Sequence, residues 1–177
     1  MNHIYLNNCF EENWFDYEVF YKSMVDRFSD GSKFVEVGSW KGRSASFMMV
    51  EIINSNKNIE FTCIDTWYTD ELYNKFLTNT SIFQNRLNHI RTSSADGSKH
   101  FKDKSLDFVF LDADHRYEAV MEDISNWLPK IKPNGVLAGH DYHQFQHEGV
   151  YNAINERFSK NEITITDKGC WSYNVKT

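Results

Sequence analysis

The chain has 177 residues, 41% of them hydrophobic, 25% charged and 16% aromatic, and its net charge is −6. This length and composition fit one domain whose core needs no disulfide or structural metal, and they exclude disorder as the main state. The negative balance argues against nucleic acid or an anionic membrane surface as the main partner.

Taken in chain order, the first signal is helical. Tyr17, Phe20, Tyr21, Met24, Val25 and Phe28 recur at helical spacing, and Asp30-Gly31-Ser32 stops them. Residues 1–31 thus read as an amino-terminal helix and cap on a core of 32–177. KFVEVG predicts a first strand, the stretch from Ser44 to Asn54 a helix, and IEFTCID a second strand ending at Asp65. Helices are expected around Leu72–Leu77 and Ser81–Leu87, then a weak third strand at HIRTSS. LDFVFLDAD holds a fourth strand whose continuous apolar run suits burial on both faces. Val120, Ile124, Trp127 and Leu128 stripe the next helix, which ends at Pro129. KPNGVLAGHDY reads as a turn and a fifth strand, Val150, Ile154 and Phe158 as a helix, and EITIT with CWSYNV as a closing hairpin. Cys9, Cys63 and Cys170 are odd in number and widely spaced, so neither a disulfide framework nor a zinc ribbon is expected. No basic-then-apolar leader opens the sequence and no run reaches the length of a membrane span, so a cytoplasmic location is expected.

Strand–helix alternation of this kind predicts an α/β fold: a doubly wound, mostly parallel sheet of seven strands with helices on both faces and an antiparallel terminal hairpin. Ligands of such sheets bind beyond the carboxyl ends of the strands. There the first strand turns through Gly38-Ser39-Trp40-Lys41-Gly42, where glycine permits close approach of a ligand and the following helix offers free N–H groups. The spacing is not that of a dinucleotide-binding GxGxxG. Asp65, at the end of the second strand, can accept both hydroxyls of a ribose. Asp96, in the third loop, either bonds an adenine amine or caps the segment that follows it. The fourth and fifth strands end in Asp112-Ala113-Asp114-His115 and Gly139-His140-Asp141-Tyr142-His143, and His147 lies close by. This cluster suits a divalent ion on Asp112, His140 and Asp141, or general-base chemistry at His115 or His143 with Asp114 orienting one of them.

FVEVGSWKG, CIDTW, LDFVFLDADHRYEAVMEDISNW and IKPNGVLAGHDY, in that order, resemble the motifs of the class I S-adenosylmethionine-dependent methyltransferases, and the resemblance covers residues 33–175. Asp-x-Asp-His followed by Tyr117 and Glu118, with Gly-His-Asp-Tyr later, looks closest to macrocin-type O-methyltransferases and proteins similar to cephalosporin hydroxylase. The resemblance implies a single Rossmann-like methyltransferase domain over 1–177. It implies S-adenosylmethionine held by Glu36, Gly38, Ser39, Trp40, Gly42, Asp65, Thr66, Asp96 and Asp112. Glu36 would reach the ammonium of the methionine portion, directly or through water, and Asp96 would sit near the adenine. It further implies transfer to a hydroxyl of a small acceptor such as a sugar or phenol, with His115, His143 or Asp112 assisting. A metal on Asp112, His140 and Asp141 would lower the pKa of the acceptor hydroxyl. Metal-dependent relatives usually carry two acids, or an acid and an amide, at the end of strand five; here the first of the pair is His140.

Trp67, Tyr68, Tyr73 and Phe76 are candidates for a lid, with core packing the stronger expectation for Phe76. Exposed aromatics on the first helix would support a homodimer. Two other functions compete: a protein that binds S-adenosylmethionine without transferring methyl, and a metal hydrolase using the Asp/His cluster alone. An intact cluster weighs against the first, and the second leaves Gly38 and Asp65 without a task. A nicotinamide-dependent oxidoreductase ranks below both.

Overall fold

The computed structural model describes residues 1–6 and 14–176. Seven strands form one sheet in the order β3-β2-β1-β4-β5-β7-β6. They are β1 Lys33–Val37, β2 Glu60–Asp65, β3 Leu87–Arg91, β4 Leu106–Leu111, β5 Ile131–Gly139, β6 Ile163–Ile165 and β7 Trp171–Asn174. The first five are parallel, and β7 inserts antiparallel between β5 and β6. The chain reverses its direction of winding between β1 and β4, which leaves a crevice above their carboxyl ends. Six helices cover the sheet: α1 Glu18–Arg27, α2 Arg43–Asn54, α3 Asp70–Thr80, α4 Ser94–Ser98, α5 Tyr117–Trp127 and α6 Glu148–Arg157. None among the described residues is long and apolar enough to cross a membrane.

Side-chain alternation along the central strands sorts the core into two layers. Phe34, Phe61, Phe108 and Phe110 point to one side and pack with residues of α1, α2 and α3. Val35, Val37, Val109, Leu111 and Leu137 point to the other and meet α5 and α6. The aromatics of α1 are consumed here: Phe20 and Tyr21 are buried, with Tyr21 edge-on to Phe110 at 4.8 Å. The exposed aromatic face expected on this helix is therefore not found.

The predicted elements shift in three places. The helix expected over 81–87 is a single 3-10 turn, Ser81–Phe83. The third strand begins at Leu87 and ends at Arg91, earlier than HIRTSS. It lies at the sheet edge, where only one face is covered, so its apolar pattern is weak. The Pro-Asn-Gly turn before the fifth strand lies inside β5, where a register shift between Leu106 and Phe108 accommodates it and Asn134 takes φ +67. Cys63 and Cys170 are buried free thiols, while Cys9 lies outside the described residues.

Candidate active site

A cleft of about 1110 Å³ lies at the switch point between β1 and β4. Its floor begins at Gly38. The Gly38 N–H donates to the Ile64 carbonyl at 2.8 Å, and φ is +92. A Cβ there would stand 2.8 Å from Ala113 Cα and closer still to the Asp112 carbonyl oxygen. Only glycine lets the β1 and β4 ends close on each other.

Asp65 shapes the next wall. Its carboxylate accepts the Trp40 N–H at 2.9 Å on one oxygen and the Trp67 N–H at 2.8 Å on the other. Oδ2 keeps a lone pair, and Oδ1 has besides Trp67 only a long contact from Thr66 Oγ1 at 3.5 Å, so the carboxylate can still accept a vicinal diol. Ser39, Trp40 and Thr66 also line the cleft. Tyr68, 72% exposed, stands at the mouth with its ring 6.2 Å from that of Trp40.

Three residues expected at the cofactor have other tasks. Glu36 is only 1% exposed and lies beneath the cleft floor. Its carboxylate accepts from Tyr21 Oη at 2.7 Å and Ser39 Oγ at 2.6 Å. Burial pushes its pKa up, against those hydrogen bonds. It holds the Gly38-Ser39 turn and does not reach into the cleft. Gly42 faces α3, where an added Cβ would meet Thr80 Cγ2 at 2.7 Å. Asp96 points to solvent, pairs with Lys99 at 2.7 Å, and exchanges hydrogen bonds with Ser93 across the first turn of α4. The residue that caps this turn is Ser93, whose hydroxyl accepts the Asp96 N–H, so Asp96 lies within the turn as the capped residue.

The carboxylate facing that end of the cleft is Asp123, which projects back from α5 and was not anticipated. It accepts from Ser94 Oγ, itself 2.9 Å from Trp127 Nε1. Burial raises its pKa from 3.8 to about 6, against the Ser94 hydrogen bond. A carboxyl raised on folding lowers stability as pH climbs from its unfolded to its folded pKa. Wild type and Asp123→Asn are therefore expected to be equally stable near pH 4. The variant should be the more stable by about 2 kcal/mol at pH 7, from chemical denaturation at both values.

The Asp/His rim closes the cleft. Asp112, anchored by its N–H to the Val37 carbonyl, accepts from Tyr17 Oη at 2.8 Å. Tyr17 is buried, with its ring tilted against that of His140 at 4.7 Å. Asp141 sits at φ +62, a left-handed conformation that costs a non-glycine residue about 1–3 kcal/mol. That turn puts its carboxylate among three imidazoles: His115 Nε2 at 3.0 Å, His147 Nε2 at 3.2 Å and His140 Nδ1 at 3.3 Å. His140 Nε2 lies 2.8 Å from the Lys168 carbonyl, which can only accept, so Nε2 carries a proton and Nδ1 is the ring nitrogen that faces Asp141. His115 has its pKa raised by the neighbouring Asp112 side chain and the charge of Asp141, against burial.

Asp112, His140 and Asp141 thus come together as expected, with donor atoms within 4.8 Å of one another. Two other candidates do not join them. His143 lies behind the rim, its ring against Gly169 of the β6–β7 turn, and does not line the cleft. Asp114 is held by Arg116 and caps the approach to α5. His147, the residue before α6, takes the place foreseen for His143.

Residues 35–142 match the family described as methyltransferase domain. The chain belongs to that family. It carries a methyltransferase domain. Sequence relatives are distant. One is an uncharacterized protein of Acanthamoeba polyphaga mimivirus, 25% identical over 122 residues, which are 66% of this chain and 54% of that protein. Another, from Sinorhizobium fredii, is 24% identical over 123 residues, 65% of this chain and 14% of that one. The chain therefore spans about half or less of the length of these relatives. Its fold is shared with a Staphylococcus aureus protein proposed to be a caffeoyl-CoA O-methyltransferase. The TM-score is 0.74 at 14% identity, over 100% of this chain and 93% of that one. An S-adenosylmethionine-dependent O-methyltransferase of Thermotoga maritima also has it, with a TM-score of 0.69 at 13% identity over 100% and 72%.

Proposed function

We propose that this methyltransferase moves the methyl group of S-adenosylmethionine to a hydroxyl oxygen of a small acceptor. The observation that carries this reading is one cleft in which the Gly38 turn and Asp65 face the Asp112–His115–Asp141 rim. The two halves match the two tasks of such a reaction. Gly38 and Ser39 lie where the methionine portion would rest, Asp65 where the ribose diol would be accepted, and Ser94 and Asp123 at the adenine end. The sulfonium methyl is already activated, so the protein has to align the acceptor oxygen with it and receive a proton. The rim offers two carboxylates and an imidazole for that purpose, with His115 in touch with both acids. The O-methyltransferase descriptions of the two structural neighbours point the same way.

Metal assistance belongs to this proposal. Asp112 Oδ1, His140 Nδ1 and an oxygen of Asp141 fit a divalent ion in donor type and proximity. When bound, such an ion would lower the pKa of a hydroxyl beside it. Tyr17 would steady Asp112, and the Lys168 carbonyl would fix the tautomer of His140.

Calorimetry with S-adenosylhomocysteine tests the cofactor half. Wild type should bind, and Asp65→Ala should lose about 100-fold in affinity, equivalent to about 2.7 kcal/mol. Circular dichroism must show that the variant is folded. No binding by wild type would sink the methyl-transfer reading. Labelled S-adenosylmethionine offered with sugars and phenols then tests the acceptor.

A further inference from the structure

We propose that the rim holds a divalent ion of the zinc class on His115, Asp141 and His147, a set that shares only Asp141 with the group Asp112, His140 and Asp141. The ligand atoms of these three residues lie within 4.8 Å of one another. The two edges that run from Asp141 measure 3.0 Å to His115 Nε2 and 3.2 Å to His147 Nε2. Bonds of about 2.0–2.2 Å to one ion separate neighbouring ligand atoms by about 2.8–3.6 Å for angles between octahedral and tetrahedral. Both edges fall in that range.

A hydrogen-bonded imidazolium–carboxylate pair would show similar distances, but not the same directions. In a hydrogen bond the N–H points along the line to the oxygen. In a metal site the nitrogen lone pair points at the ion, well off that line. His115 Nε2 is buried and makes no hydrogen bond, although Asp141 Oδ2 is 3.0 Å away. A buried polar atom without a partner calls for an explanation, and an ion between the three ligands supplies one.

The backbone is built to bring these residues together. Gly149, in the first turn of α6, packs against the 115–117 segment so closely that a Cβ would stand 2.7 Å from the Tyr117 nitrogen. That contact carries His147 to His115, with their rings 4.8 Å apart and nearly perpendicular. His147 makes no side-chain capping bond to α6. Two imidazoles and one carboxylate favour a late first-row ion over Mg²⁺, which prefers oxygen.

The site stands on this geometry and does not require methyl transfer. Its test is direct binding of Co²⁺ to the full chain, followed by visible absorption and by equilibrium dialysis. Wild type should bind Co²⁺ with a visible band. His147→Ala should lose that band and about 100-fold or more in affinity, beyond the loss typical of an outer-shell partner. The same loss on changing His147 should appear in a His140→Ala background, where the Asp112, His140 and Asp141 set has lost a ligand. Co²⁺ binding undiminished in His147→Ala, or none by wild type, would overturn the proposal. S-adenosylhomocysteine affinity measured on the same samples confirms that each variant is folded. It also reports separately on the proposed methyl transfer, which fails only if cofactor binding is absent.

Discussion

Gly38→Ala is expected to cost the protein about 4 kcal/mol of stability and its cofactor binding with it. The backbone at Gly38 has φ +92, where any side chain is strained. The added methyl would also meet the Asp112 carbonyl and Ala113 Cα, the latter at 2.8 Å. Neither is the end of a flexible side chain, so relief requires β1 and β4 to part. Those two strands carry opposite walls of the cleft, and parting them would separate the Gly38 turn from Asp112. Gly31→Ala is the matched control. Gly31 also has positive φ, +79, but nothing lies within 4 Å of an added Cβ. It should cost about 1 kcal/mol, for backbone strain alone. Urea midpoints measure both, and S-adenosylhomocysteine calorimetry follows the cofactor. Equal losses in the two variants would show that the strand-end contact contributes nothing.

The same strand ends show why much of the site was legible in the sequence. Parallel strands buried on both faces leave short apolar runs, and each run ends in a residue that must face the crevice. Asp65 and Asp112 could thus be placed from the pattern alone. What the pattern lacks is direction within a loop. Asp96 and Asp123 are both acids near the end of the cleft proposed for adenine, but α4 turns Asp96 outward and α5 turns Asp123 back toward the cleft. A serine three residues before Asp96 was the available sign of capping. In the same way, the left-handed turn at Asp141 is invisible in residue type. That turn carries His143 away from the cleft, and the packing of Gly149 brings His147 in. Glu36 misled for a different reason. A carboxylate at the end of a strand reads as a ligand group, while its partner Tyr21 lies 15 residues earlier on α1, a contact that only the folded chain reveals.

Trp67→Ala is expected to destabilise the protein by about 4 kcal/mol, whereas Tyr68→Ala should change stability by less than about 0.5 kcal/mol. These neighbours both looked like lid residues, with Tyr73 and Phe76. The structure divides them. Trp67 is fully buried, its ring 4.4 Å from Phe76 and 5.2 Å from Tyr73. Its indole N–H donates to the Trp40 carbonyl at 2.7 Å, and its backbone N–H donates to Asp65. Truncation would leave a cavity, strand the Trp40 carbonyl and loosen the turn that presents Trp40 to Asp65. Cofactor affinity should therefore fall along with stability, even though the Trp67 side chain does not line the cleft. Tyr68 touches far less and is free to move over a ligand. If the Tyr68 ring lies against bound cofactor or acceptor, Tyr68→Ala weakens S-adenosylhomocysteine or acceptor binding while the unfolding midpoint stays put. A large stability loss in Tyr68→Ala, or none in Trp67→Ala, would reverse the division and restore the loop after β2 as a lid. Both variants need only unfolding curves and calorimetry, so the result does not wait on finding the acceptor.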